Sequence, residues 1–122
     1  MPAVAVIGAS NDRNKYGNKS LRAHMKQDYT VYPVNPNTEN VEGLRAYKSV
    51  KDIPGPLDRV TLYVPPEIGV TLLADIADKA PDEFFVNPGA ESDELIEKAR
   101  ELGLNPIQAC SITDLGMSPA ML

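Results

Sequence analysis

The fold is decided by the stretch Val4-Ala5-Val6-Ile7-Gly8-Ala9-Ser10, together with Lys15-Tyr16-Gly17 a few residues later. Four consecutive apolar residues are typical of a strand that is covered on both faces of a sheet. The glycine and the two small residues predict a tight turn, and the segment from Tyr16 or Gly17 to about Lys26 predicts a helix. This succession presents backbone N–H groups and a helix N-terminus to a phosphate. We therefore expect the phosphates of a nucleotide to lie over Gly8, Ala9 and Ser10.

The remaining chain continues to alternate strands and helices. Further strands are predicted at Thr30 to Val34, Arg59 to Val64, Glu83 to Val86 and Asn105 to Gln108, and further helices at Glu67 to Lys79 and from the N-cap Ser92 to Gly103. This alternation predicts a single α/β domain over residues 1–122 with a Rossmann-like, doubly wound parallel sheet of about five strands. We expect a strand order such as 3-2-1-4-5.

Two segments carry weaker patterns. Residues 38 to 58 predict a long connection with a short helix around Ser49 to Ile53, and the tail from about residue 112 has no strong pattern. Pro33 is unusual within a central strand, so we expect an incomplete ladder there.

Composition restricts the class of protein. The chain has 122 residues and a formal charge of −5, which argues against a general nucleic-acid binder. A single cysteine, Cys110, excludes an internal disulfide and suits a reducing cytoplasm. No apolar run is long enough to span a membrane, and the first strand follows the N-terminus directly. These features predict a cytoplasmic protein without a membrane partner.

The loops at the carboxyl ends of the strands are rich in Gly, Pro, Asn and Ser, which favours a binding cleft over an acid/base site. A dinucleotide-binding G-x-G-x-x-G is absent, because the glycine after Gly8 is Gly17. An NAD site also needs a carboxylate after the second strand, where this chain has Asn35 and Pro36. A cation such as Arg13 or Lys15 would attract the ribose phosphate that NADP and coenzyme A (CoA) both carry.

Five short motifs occur in register with a known family: Ile7-Gly8-Ala9-Ser10, Lys15-Tyr16-Gly17, Pro33-Val34-Asn35-Pro36, Val64-Pro65-Pro66 and Pro88-Gly89-Ala90-Glu91-Ser92. From about residue 3 to about residue 112, the chain resembles the small stand-alone CoA-binding proteins and the CoA-binding domain of the succinyl-CoA synthetase α subunit. The resemblance implies that the turn holds the CoA phosphates, that Lys15 is their counter-charge, and that Tyr16 and Gly17 shape the start of the helix. It also implies that the adenosine portion lies by Asn35 and Pro36, and that Val64, Pro65 and Pro66 form an apolar wall along the nucleotide and the pantetheine arm.

The other reactive side chains have simpler interpretations. His24 is expected to be a solvated residue of the first helix, and Asp114 a solvated residue of the tail. Cys110 is expected to be a small buried hydrophobe, the alternative being a thiol near the pantetheine end of CoA. Glu91 is interpreted as a helix N-terminal charge, and Tyr47 and Tyr63 as packing residues.

Three functions follow from this sequence. The leading one is non-catalytic binding of CoA or an acyl-CoA, because the chain carries neither the histidine domain nor the ATP-grasp domain of the ligases. The second is the CoA-binding subunit of a split acyl-CoA synthetase of the ADP-forming type, with a separate ligase subunit. The third is an NAD(P)-binding regulatory module. The apolar helix faces leave room for a homodimer.

Overall fold

The computed structural model describes residues 1–122 as one α/β domain. In chain order its elements are β1 (Ala3–Ile7), α1 (Tyr16–Lys26), β2 (Thr30–Val34), β3 (Asn40–Val41), β4 (Leu44–Arg45), a 3-10 helix (Val50–Asp52), β5 (Arg59–Leu62), α2 (Pro66–Gly69), a 3-10 helix (Val70–Leu72), α3 (Leu73–Lys79), β6 (Glu83–Val86), α4 (Asp93–Glu101), β7 (Pro106–Ile107), α5 (Ser111–Asp114) and a 3-10 helix (Pro119–Met121). Five of the strands form one parallel sheet in the order β2-β1-β5-β6-β7. The predicted Rossmann-like class is confirmed.

The predicted strand order is wrong. Counted along the chain, the five sheet strands lie in the order 2-1-3-4-5, because β5 pairs with β1 on the side opposite β2. Pro33 is compatible with the position of β2 at the edge of the sheet. Its carbonyl accepts from the N–H of Tyr47, so Pro33 faces away from β1 and its missing N–H falls on the outer edge. The ladder between β1 and β2 is therefore complete, and β2 is an edge strand.

Two apolar layers enclose the sheet. The larger cluster lies on the face covered by α3 and α4, which contribute Leu73, Ile76, Leu95, Ile96 and Ala99. The smaller cluster includes Leu21 of α1 and residues from the opposite sides of β1 and β2. Met25, one helical turn after Leu21, is exposed. None of the helices combines the length and apolar composition that crossing a bilayer requires.

The predicted helix from Glu67 to Lys79 is broken into α2, a 3-10 turn and α3. The hydroxyl of Thr71 donates to the carbonyl of Ile68 at 2.6 Å, a local bond that competes with helical pairing. At Gly69 an added Cβ would lie 3.0 Å from Leu95 Cδ1 and 3.1 Å from Leu62 Cδ2, so α2 packs closely on α4 and β5. β5 also ends two residues before the predicted Val64.

The connection after β2 contains more regular structure than predicted. The short helix is present at Val50–Asp52 with Ser49 as its N-cap. The antiparallel hairpin of β3 and β4 was not predicted; its turn residues Glu42 and Gly43 both have positive φ, 50° and 80°. Two positive φ values are what a two-residue hairpin turn requires. In the tail, α5 and the last 3-10 helix pack against α1.

Candidate functional site

The turn after β1 lies at the carboxyl edge of the sheet, between β1 and β5. Gly8 has φ +93°, and an added Cβ there would lie 2.9 Å from the carbonyl oxygen of Tyr63. The N–H of Gly8 donates to the carbonyl of Val34 at 3.1 Å. Strand order reverses at this point, and parallel α/β sheets bind ligands at such a reversal.

The start of α1 packs directly on this turn. An added Cβ at Gly17 would lie only 2.2 Å from the carbonyl oxygen of Gly8, so only glycine permits this approach. Lys15 is the N-cap residue, and its side chain makes no capping hydrogen bond. The first N–H groups of α1 have no partner within the helix and remain available to an anion.

The loop between β1 and α1 is held from outside by the β3–β4 hairpin. The side chain of Asn11 donates to the carbonyl of Asn40 at 2.9 Å and accepts from the N–H of Glu42 at 3.0 Å. Asn18 donates to the carbonyl of Ser10 at 2.8 Å and to Glu42 Oε2 at 2.9 Å. This bond from Asn18, helped by the nearby arginines, lowers the pKa of Glu42. This support was not predicted, although Glu42-Gly43 between two short β-type segments is a weak hairpin signal.

A cleft of about 670 Å³ extends from the turn across the carboxyl edge of the sheet. The structure brings together around it most residues of the predicted binding set: Gly8, Ala9, Ser10, Lys15, Tyr16, Gly17, Asn35, Pro36, Val64 and Pro65. The two others do not line it. Arg13 forms an ion pair with Glu42 at 3.4 Å, and Pro66 begins α2.

Further residues that were not predicted to bind also line the cleft. They include Lys48, Ser49, Val50, Ile68, Leu72 and Asp75. Ile68 and Ile76 would share one face of an unbroken helix. Ile76 is buried, but Ile68 is exposed at the cleft because the helix breaks between them.

Asn35 has a structural task in this site. Its Nδ2 donates to the carbonyl of Ala9 at 2.8 Å, and its Oδ1 accepts from the N–H of Asn37 at 2.7 Å. Both ends of the amide are therefore used to fix the loops beside the cleft. A carboxylate at this position could not donate to Ala9. The amide of Asn35, which stands where an NAD site needs a carboxylate, therefore also stabilises the turn.

A buried polar layer lies between the sheet and the helices α1 and α5. Ser111 Oγ lies 2.8 Å from Thr61 Oγ1 and 2.9 Å from the hydroxyl of Tyr63, a residue of the cleft lining. Asn87 donates to Thr61 Oγ1 at 2.7 Å and accepts from the N–H of Ser111 at 2.9 Å. Burial raises the pKa of Tyr63, so its hydroxyl is a neutral member of this layer.

The expectation that His24 is solvated is wrong. Its ring is fully buried, with Nδ1 2.8 Å from the carbonyl of Ser20 and Nε2 3.4 Å from Arg59 Nη1. A carbonyl only accepts and a guanidinium only donates, so the ring is neutral with its hydrogen on Nδ1. Burial is the main cause that lowers the pKa of His24 to about 4.

Two further expectations concern the tail. Asp114 is exposed, yet it pairs with buried Arg59 at 2.8 Å, so it is a structural partner as well as a solvated residue. Cys110 is half-buried and does not line the cleft. No group of three or more histidine, cysteine or acidic side chains is arranged to hold a metal ion.

Residues 2–115 match the family model described as a CoA binding domain. The chain belongs to the CoA-binding domain family. The resemblance drawn from the five motifs is thereby confirmed.

Relatives of this family member include both large and small proteins. The chain is 36% identical over 117 residues to the acetate–CoA ligase (ADP-forming) II subunit alpha of Pyrococcus furiosus, covering 85% of this chain and 25% of that subunit. It thus spans about a quarter of that relative's length. A conserved hypothetical protein from Pyrococcus furiosus superposes with a TM-score of 0.84 at 30% identity, covering 93% of this chain and 99% of the other. The dinucleotide forming acetyl-coenzyme A synthetase 1 of Ca. Korarchaeum cryptofilum superposes with a TM-score of 0.75 at 27% identity, covering 88% and 26%.

Proposed function

We propose that this chain binds CoA or an acyl-CoA in the cleft and performs no reaction on its own. The observation that carries the proposal is the turn at Gly8, packed against the uncapped start of α1, in a domain of the CoA-binding family. The N–H groups of that start and the ammonium of Lys15 offer donors and positive charge for the diphosphate or the ribose phosphate. Lys48 adds a second cation to the same cleft.

The apolar part of the cleft fits the rest of such a ligand. Val64, Pro65 and Ile68 give the lining of the cleft an apolar wall. This wall would pack against the pantetheine arm or the base, while the phosphates stay at the turn. No histidine and no cysteine lines the cleft, and this supports a role in binding. CoA, when bound, supplies a thiol that carries acyl groups for other proteins.

Calorimetry with CoA, acetyl-CoA, NAD, NADP and ATP tests this proposal. We expect binding of CoA and acetyl-CoA and much weaker binding of the others. Binding of NAD without a response to CoA would refute it. The position of Lys15 is tested with Lys15→Ala, for which the affinity for CoA should fall more than that for dephospho-CoA if the lysine meets the ribose phosphate. Lys26→Ala, an exposed lysine at the far end of α1, is the matched control.

A second function is favoured by one specific observation. The Pyrococcus furiosus relative is named as a subunit of an ADP-forming ligase, and 85% of this chain aligns with it. Under this proposal the chain is the CoA-binding component of a split acyl-CoA synthetase and works with a separate ATP-grasp subunit. Affinity purification of the tagged protein from its own cells should then recover an ATP-grasp protein together with ADP-forming ligase activity. Recovery of the chain alone, with CoA bound, would favour the first function.

A further inference from the structure

Asp75 is the only carboxylate among the residues that line the cleft. It lies in the first turn of α3, is partly buried, and takes part in none of the ion pairs of the chain. Its side chain forms no hydrogen bond with another protein group. α3 packs against the 3-10 helix Val50–Asp52. Asp75 therefore lies in the part of the cleft that is lined by Ser49 and Val50.

The charged side chains that line the cleft differ in sign, because Lys15 and Lys48 are cations and Asp75 is an anion. Lys15 lies at the turn with the open start of α1, and this region suits phosphates. A carboxylate repels phosphates, and its oxygens can only accept hydrogen bonds. The part of a ligand beside Asp75 must therefore be uncharged or cationic, and it must donate.

The neighbours of Asp75 narrow this choice to a flat heterocycle. Leu72 and Val50 are apolar residues of the same lining, and the hydroxyl of Ser49 and the ammonium of Lys48 are two of its donors. The amino group of adenine offers two donors and no acceptor. Beside that group the ring nitrogens of adenine accept hydrogen bonds, which matches the donors of Ser49 and Lys48, and the flat ring can pack against Leu72 and Val50.

We propose that Asp75 accepts a hydrogen bond from the exocyclic amino group of the adenine of CoA, and so makes the cleft selective for adenine over hypoxanthine. This inference rests on the proposed binding of CoA and assigns the position of its adenine base within the cleft. Hypoxanthine carries an oxygen where adenine carries the amino group, and that oxygen would face the carboxylate. A site built to bind a donor rejects an analogue that lacks it, because the acceptor is left without a partner.

The test measures the affinities of CoA and of its deaminated analogue, in which hypoxanthine replaces adenine, by calorimetry. A hydrogen bond to a charged group contributes about 1.5–3 kcal/mol, so the wild-type chain should prefer CoA by at least about tenfold. In Asp75→Asn the amide can donate to the hypoxanthine oxygen as well as accept from adenine, and the preference should fall to about twofold or less. Removing a negative charge raises the affinity for both ligands, so the ratio is the decisive quantity.

Asp78→Asn is the matched control, because Asp78 lies on the same helix, is exposed and does not line the cleft. It should keep the full preference. Equal affinities of the wild-type chain for the two ligands would overturn the inference and leave the proposed binding of CoA intact. A preference that survives in Asp75→Asn would also overturn it. If neither CoA nor its deaminated analogue binds, the proposed function itself is refuted.

Discussion

Replacing Gly17 by alanine tests whether the close contact between α1 and the turn creates the phosphate site. The new Cβ would lie 2.2 Å from the carbonyl oxygen of Gly8, whereas real Cβ atoms essentially never approach closer than 3.0 Å. The start of α1 must therefore move by at least 0.8 Å from a backbone atom that cannot rotate away. Overpacking of this kind costs about 1–3 kcal/mol, and the helix preference of alanine over glycine offsets up to about 1 kcal/mol. We expect Gly17→Ala to lower the free energy of unfolding by about 1–2 kcal/mol.

The same displacement should weaken binding of CoA. A hydrogen bond of about 2.9 Å lengthened by 0.8 Å no longer meets the geometric limits, and bonds to charged groups contribute about 1.5–3 kcal/mol each. Loss of one such bond predicts an affinity lower by at least about tenfold in calorimetry. Urea unfolding gives the stability of the same sample.

Gly103→Ala separates the two effects. Gly103 has φ +86° at the end of α4, and no atom lies within 4 Å of an added Cβ, so alanine strains the backbone far from the cleft. This variant should lose stability and keep its affinity for CoA. If Gly17→Ala binds CoA as tightly as the wild-type chain, the contact between Gly17 and Gly8 does not shape the binding site.

Two further predictions concern His24 and the buried polar layer around Ser111. Because burial lowers the pKa of His24 to about 4 while an unfolded histidine titrates near 6.5, the unfolded chain takes up the proton first as the pH falls. The contribution of His24 to the free energy of unfolding is thus fully present above pH 6.5. It is lost between pH 6.5 and 4, by an amount on the order of 3 kcal/mol. Urea unfolding across this range should show a weaker pH dependence for His24→Gln, and identical slopes would contradict the assignment. Ser111→Ala should lower the free energy of unfolding by about 1–3 kcal/mol, because Thr61 and Tyr63 lose a buried partner. Ser118→Ala, an exposed change in the same tail, should stay within about 0.5 kcal/mol, and an equal effect of the two variants would refute the role of the layer.

The sequence predicted the strands and the turn well because their signals are local. Apolar runs such as Val4 to Ile7, and residues with one conformational task such as Gly8, depend little on distant contacts. The serine cap of α4 was predicted for the same reason, and Ser92 accepts from the N–H of Leu95 at 3.1 Å.

The incorrect predictions depend on contacts between distant residues. The strand order depends on the pairing of β5 with the side of β1 opposite β2. His24 is buried in contact with Arg59, which lies 35 positions later in the chain. Most of the predicted binding residues line the cleft, but Asp75 and Lys48 reach it through the break between α2 and α3 and through the path of the connection after β2. Neither the break nor the path has a periodic signature in the sequence.

The outer edge of β2 restricts how this chain can associate with other chains. Pro33 has no N–H to offer there, and Tyr47 already occupies the carbonyl of Pro33 and the N–H of Asn35. At the opposite edge, β7 is only two residues long. Continuous sheets across two protomers need a long edge with free backbone groups. Pairing with a strand of another chain is therefore disfavoured at both edges of the sheet, and so is aggregation by the same route.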